Sequence, residues 1–300
     1  MSNLRVFYAK ALLSWGFMVR YRGTTAAQPA FPIPPPTTVV GAFAYPLAKM
    51  LKLSPRTITS TGIEWGKGKL ISEAMKPFLE ATITASAGFL SHKSIQTGLA
   101  VYQEPSRLIA SPYKGGGEIE RIKKAKFMES SFFEEALPRA LPVQAIGAAY
   151  APALIVELLW VIDVVKLSKQ IGVSVDRIDN SAKKAVYGIV RIGSKESIVA
   201  LENALYVENP KVIGPGEKMN SRLYMERACV EALDPTLTAE IIFPDLKFRL
   251  TPYYLPARIS SNTIIIPLSE DSPLPLFRIL DPCKAITIPS LEGVVGVARL

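Results

Sequence analysis

The chain has 300 residues, 49% of them hydrophobic and 20% charged, with a formal net charge of +9 and a pI near 9.4. That length allows one large domain or two smaller ones, and that much apolar material excludes a disordered chain. A basic excess concentrated in so few charged residues points to patches that meet a polyanion, either nucleic acid or an acidic membrane surface.

Two cysteines, Cys229 and Cys283, stand far apart. Their spacing offers neither a metal-ligand pattern nor a disulfide framework, and the expectation is free thiols in a reducing cytoplasm. The first residues do not read as a signal peptide. The most hydrophobic window, 145–165, contains Pro152, Glu157 and Asp163, so it reads as buried strand and helix and not as a membrane span.

Residues 4–22 are expected to form one long strand. Ala9, Ala11, Leu13, Trp15, Phe17, Val19 and Tyr21 alternate on an apolar face, and Lys10, Ser14, Gly16, Arg20 and Arg22 share the other. Such a strand packs helices on one side and meets an anion on the other, with Arg20 and Arg22 as the candidate contacts. After a loop over 23–31, residues 31–51 (FPIPPPTTVVGAFAYPLAKML) combine a proline run with an apolar helix. The prolines hold the backbone extended. The Thr37 and Thr38 hydroxyls are placed to cap the helix, and the N–H groups left free near Thr38 are placed to face a phosphate. Gly41 is expected to admit another backbone closely, and Pro46 to kink the helix.

From 55 to about 142 the sequence reads as an insertion of hairpins and loops. It includes a glycine-rich loop carrying Lys114, followed by Arg121, Lys123, Lys124 and Lys126, a combination suited to closing over a nucleic-acid backbone. Residues 153–163 read as a central strand and 174–187 as a helix capped by Ser174. In the following GIVRIGSKES segment, Gly193 and Ser194 suit a tight turn whose N–H groups form an anion nest, flanked by Arg191 and Lys195. From about 222 short strands separated by prolines predominate.

No Walker A, dinucleotide-binding, zinc-protease or nucleophile-elbow motif is present, so no cofactor or metal is expected. The lone histidine, His92, lies beside Lys93. With Tyr45 these are the groups a metal-independent ribonuclease would draw on for a base and for phosphorane stabilisation. A membrane-surface role lacks the basic amphipathic helix it would need.

The arginine-bearing first strand, the PIPPPTTVVGA segment opening a buried helix, and the GIVRIGSKES segment together resemble the fifth family of CRISPR-associated proteins, in the RAMP superfamily. The likeness is greatest to the archaeal type I-A branch and covers roughly residues 4–51 and 150–207. It implies an α+β fold with a ferredoxin-like (RRM-type) core over 1–215, an inserted β-hairpin "thumb" at about 55–142, and a β-rich part over 216–300. It also implies a cytoplasmic, non-catalytic subunit of the Cascade complex that grips the 5′ handle of the guide RNA (crRNA). The partners implied are the backbone RAMP subunit and other Cascade subunits, with target DNA as a further candidate and no membrane. The RNA-binding residues expected are Arg20, Arg22, Thr37, Thr38, Gly41, Lys114, Arg121, Lys123, Lys124, Arg191, Gly193, Ser194 and Lys195. One branch of the family, type I-C, cuts precursor RNA with a tyrosine, a lysine and a histidine. An endoribonuclease using Tyr45, His92 and Lys93 is therefore the alternative reading, although those roles are not carried over residue by residue.

Overall fold

The computed structural model describes residues 3–19, 27–28, 30–53, 64–65, 68–69, 75–91, 98–108, 143–194, 197–261 and 264–300. Four long strands make its centre: β1 (Leu4–Leu13), β2 (Thr82–Ser91), β5 (Ile155–Asp163) and β6 (Val199–Val207). They lie in the order β6-β1-β5-β2, with every neighbouring pair antiparallel. Helix α1 (Pro36–Met50) follows β1, and helices α3 (Val164–Ile171) and α4 (Val175–Ala185) connect β5 to β6. A short helix, α2 (Lys76–Ala81), leads into β2. The succession is β-α-β-β-α-β. Beyond β2 the same sheet continues through β7 (Ile264–Ser269), β3 (Leu99–Leu108) and β4 (Val143–Tyr150) to the two-residue strand Gly16–Phe17.

β1 and β5 are apolar at nearly every position because both faces of the sheet are covered. On one face Phe7, Ala9, Ala11 and Leu13 share a core with Val40, Phe43 and Leu47 of α1, Leu167 of α3, and Ile178 and Ala182 of α4. Aromatic rings fill its centre, with Phe7 4.7 Å from Trp160 and 5.8 Å from Phe43 between centroids. The Trp160 indole N–H finds its acceptor in Thr82 Oγ1 at 2.8 Å, as a buried indole requires. On the other face Leu4, Val6, Tyr8, Leu159 and Val161 pack under Leu223, Ile286, Ile288 and Val294 from the C-terminal part.

Several expectations need correction. The first strand does not run to 22. It stops at Leu13, and after Ser14 and Trp15 the chain moves to Gly16–Phe17, which pairs with β4. The polar face expected to meet an anion carries Lys10, but Lys10 Nζ lies 2.7 Å from Glu270 and 3.5 Å from Glu202. The stretch 55–142 is not wholly an insertion of short pieces, since β2 crosses the central core within it and β3 extends the same sheet. Ser174 is the N-cap residue of α4, as expected, but its side chain makes no capping bond. Helix α1 starts at Pro36 with Pro35 as N-cap and no side-chain cap, so the Thr37 and Thr38 hydroxyls do not cap it. It continues past Pro46 to Met50. Among the described residues, a Cβ built on Gly41 would meet nothing within 4 Å.

The C-terminal part forms three small sheets. They include β8 (Cys283–Thr287) paired with β9 (Val295–Arg299). Cys229 and Cys283 are joined in a disulfide inside the apolar cluster of this region, contrary to the expected free thiols. Sequence spacing alone does not reveal that two distant segments are brought side by side.

Candidate nucleic-acid interface

The proline run is held inward. Pro34, Pro35 and Pro36 are buried, and the Tyr224 hydroxyl donates to the Pro34 carbonyl at 3.1 Å. Pro35 and Pro36 have no N–H to offer. The N–H groups of Thr38 and Val39 both donate to the Pro35 carbonyl, at 2.9 and 3.2 Å. The Thr38 and Val39 donors are therefore spent within the helix start, which weakens the phosphate site expected there. Thr37 and Thr38 are half-buried.

The Gly193–Ser194 turn is committed in the same way. The Ser194 N–H donates to the Met18 carbonyl at 3.1 Å, and the Met18 N–H donates to Ser197 Oγ at 2.8 Å. Gly193 has φ +87°, and a Cβ built on it would stand 2.6 Å from the Met18 carbonyl oxygen. Only glycine permits that conformation and that approach together. The turn is thus a docking joint for residues 18–19 more than an anion nest. The Phe31 N–H donates to the Val19 carbonyl at 2.8 Å, so the segment leading to the proline run and the 193–194 turn are both fastened to residues 18–19.

Arg191 points elsewhere, toward α1. Its Cζ lies 5.7 Å from the centroid of the Tyr45 ring, and Lys49 Nζ lies 5.6 Å from the same centroid. Both distances suit a cation over an aromatic face. Gly188 brings the chain around Arg191 against α1, since a Cβ built there would be 2.8 Å from Pro46 Cβ. Tyr45 remains 43% exposed and Tyr187 62% exposed. Lys49, Lys52, Lys183, Lys184 and Arg191 all lie within residues 36–53 and 183–194, which contain no Asp or Glu. Within that group Lys183 is paired with Glu208 at 2.7 Å.

The structure therefore brings Tyr45 and Arg191 together, and places Gly193 and Ser194 in the joint beside them. Gly41 and the two threonines stay on α1. Arg20, Arg22, His92, Lys93, Lys114, Arg121, Lys123, Lys124 and Lys195 lie outside the described residues. Sequence reading missed Lys49 and Tyr187. The signal for Lys49 was its i,i+4 spacing from Tyr45 on one helix face. Nothing local to Tyr187 marked it.

The buried polar groups serve another purpose. Glu157 in β5 accepts from the Tyr8 hydroxyl at 2.5 Å, and its second oxygen lies 3.0 Å from Arg222 Nε. Burial pushes the Glu157 carboxyl up, against the opposing pull of Arg222, and pushes the Tyr8 phenol up as well. Arg222 also donates to the Glu292 carbonyl at 2.7 Å. The cluster pins the C-terminal part onto the sheet. Arg5 and Asp179 do the same for β1 and α4, with Arg5 Nη2 2.9 Å from Asp179 Oδ2. Among the described residues no three His, Cys, Asp or Glu side chains group as metal ligands. Among them, too, no helix is long and apolar enough to cross a membrane.

No family model matches the chain. In sequence it is 25% identical over 224 residues to the CRISPR-associated protein Cas5 3 of Saccharolobus solfataricus, spanning 73% of this chain and 72% of that protein. In fold it is similar to a CRISPR protein from Archaeoglobus fulgidus, with a TM-score of 0.52 and 18% identity over 99% of each chain. A chain of a CRISPR RNA-guided surveillance complex aligns with a TM-score of 0.30 and 8% identity over 71% of this chain and 70% of its own, too weak a likeness to carry an argument.

Proposed function

We infer that this Cas5-type CRISPR-associated protein is a non-catalytic, cytoplasmic subunit of a type I Cascade complex that grips the 5′ handle of the guide RNA. The observation that carries the reading is the sequence similarity to Cas5 3, which extends over most of both chains. The strand order β6-β1-β5-β2 supports a ferredoxin-like core. The cations of residues 36–53 and 183–194, segments that contain no Asp or Glu, support a polyanionic partner.

In this reading Arg191 and Lys195 contact the handle beside the joint made by Gly193 and Ser194. The hydroxyls of Thr37 and Thr38 contribute to the same surface, and Arg20, Arg22, Lys114, Arg121, Lys123 and Lys124 neutralise further phosphates. The backbone RAMP subunit and other Cascade subunits complete the particle, with target DNA as an additional contact.

The test is binding to guide RNA with and without its handle across a salt series. Affinity is expected to fall with a log–log slope of about −0.7 for each phosphate neutralised on a single strand. Arg191→Ala combined with Lys195→Ala is expected to erase the preference for the intact handle. An affinity flat with salt, or a wild type indifferent to the handle, overturns the reading. A second reading, the endoribonuclease, is favoured by the exposure of Tyr45 beside two cations. Cleavage of repeat RNA in EDTA that disappears in Tyr45→Phe and His92→Ala would put it first.

A further inference from the structure

We propose that the outer side of α1, with residues 183–194 and Ile198, is a stacking platform for unpaired nucleotides that adjoins the handle contact at Arg191. The proposal rests on the guide-RNA reading and specifies where bases, as distinct from phosphates, are held.

The first argument is one of exclusion. A β-α-β-β-α-β sheet of the RRM type stacks bases on the aromatic residues of its open face. Here that face is closed. Tyr8, Leu159 and Val161 lie beneath Leu223, Ile286, Ile288 and Val294, and the Tyr8 hydroxyl is taken by Glu157. Phe7 and Trp160 point into the opposite, helical core. Among the described residues, neither face of the four central strands presents an exposed aromatic ring to a base.

The second argument is what the helical side does offer. Tyr45 and Tyr187 are exposed, and the contact of Gly188 with Pro46 sets their neighbouring main-chain segments against each other. Arg191 and Lys49 are both held near the Tyr45 ring. A guanidinium so placed has an outer face on which an unpaired base can stack, and N–H edges for a phosphate. Ile198 is paired across from Arg191 in an antiparallel bridge and adds exposed apolar area beside it. Lys52 and Lys184, in the same two segments, are exposed as well. Exposed aromatics set among cations, with Glu208 as the acid paired to Lys183, is a composition that binds single strands with little sequence preference. A protein partner would bury the apolar residues equally well, but a surface of one charge sign on both segments favours the polyanion.

The test uses the full-length chain and short unpaired probes lacking the handle, oligouridylate, oligoadenylate and DNA of matching sequence. Tyr45→Leu with Tyr187→Leu keeps apolar bulk at two exposed positions and removes the rings. Affinity for both RNA probes is expected to fall on the order of tenfold or more, as removal of stacked bases does, while Tyr45→Phe with Tyr187→Phe keeps it. Ultraviolet crosslinks from the wild type are expected at Tyr45 or Tyr187. A loss for RNA and DNA alike makes the platform indifferent to the sugar, and a loss confined to RNA makes it RNA-specific; either supports it. Unchanged affinity in the Leu variant with crosslinks elsewhere overturns the platform, and if the wild type still prefers the handle the guide-RNA reading survives. A wild type that binds no RNA at all overturns both. Unchanged RNA affinity with lost co-elution of other protein subunits gives this face to a protein and overturns the platform.

Discussion

Glu157 is 1% exposed in the middle of the sheet, between a phenol and a guanidinium. Its carboxyl is pushed above its ordinary value of 4.5 by burial, while Arg222, Tyr8 and Lys10 pull it down and Glu270 adds to the rise. A carboxyl with a higher pKa in the folded chain than in the unfolded chain contributes stability that is complete below the unfolded value and lost as pH rises through the folded one. Glutamine does not titrate. The stability of the wild type relative to Glu157→Gln is therefore expected to decline as pH increases above about 4.5. Urea unfolding of both proteins between pH 4 and 7 reads this directly, and a difference that grows with pH in favour of the wild type contradicts it.

At the scale of elements, the joint around the disulfide carries the C-terminal part. Cys229 precedes the short strand Val230–Ala232 and Cys283 opens β8, at a sequence separation of 54. Both are buried in a cluster with Met225, Phe277, Ile279 and Val297. Closing a loop of that length restricts the unfolded chain by about 4 kcal/mol in the chain-entropy account. Cys229→Ala with Cys283→Ala is expected to lose about that much, with a further small cost for the two missing sulfur atoms. Urea titration of the oxidised wild type against the double variant measures it, and equal midpoints would show that the bridge contributes nothing. Helix α1 teaches a related lesson. Its prolines mark its start correctly, but they remove N–H groups from the very end where an anion site was expected.

Over the whole molecule the two parts of the chain are interleaved. β7, from the C-terminal part, lies between β2 and β3, parallel to the first and antiparallel to the second. Leu223, Ile286, Ile288 and Val294 cover one face of the central strands. Residues 1–215 alone would expose Val6, Tyr8, Leu159 and Val161 and lose β7 from the sheet. Such a fragment is expected to aggregate or to unfold without cooperativity, measurable by light scattering and thermal melting. A soluble fragment with a sharp transition would show that the 216–300 region is an appendage.

Local order was legible in the sequence where residues act on their own neighbours. The apolar run of 153–163 marked β5, the proline run marked the start of α1, and alternation marked β1 as far as Leu13. The segments around Pro34–Gly41 and Arg191–Ser197 carried the resemblance to the fifth family of CRISPR-associated proteins. The tertiary structure decided whatever depends on segments distant in sequence. It chose which polar groups remain free, spending the Ser194 amide on Met18 and the Lys10 ammonium on two glutamates. It joined two cysteines and set Arg191 over Tyr45. The reason is that a side chain's chemistry is written in its type, whereas its availability is set by what folds against it. Hydrogen bonds and ion pairs between residues more than a hundred positions apart leave no periodic trace in either partner.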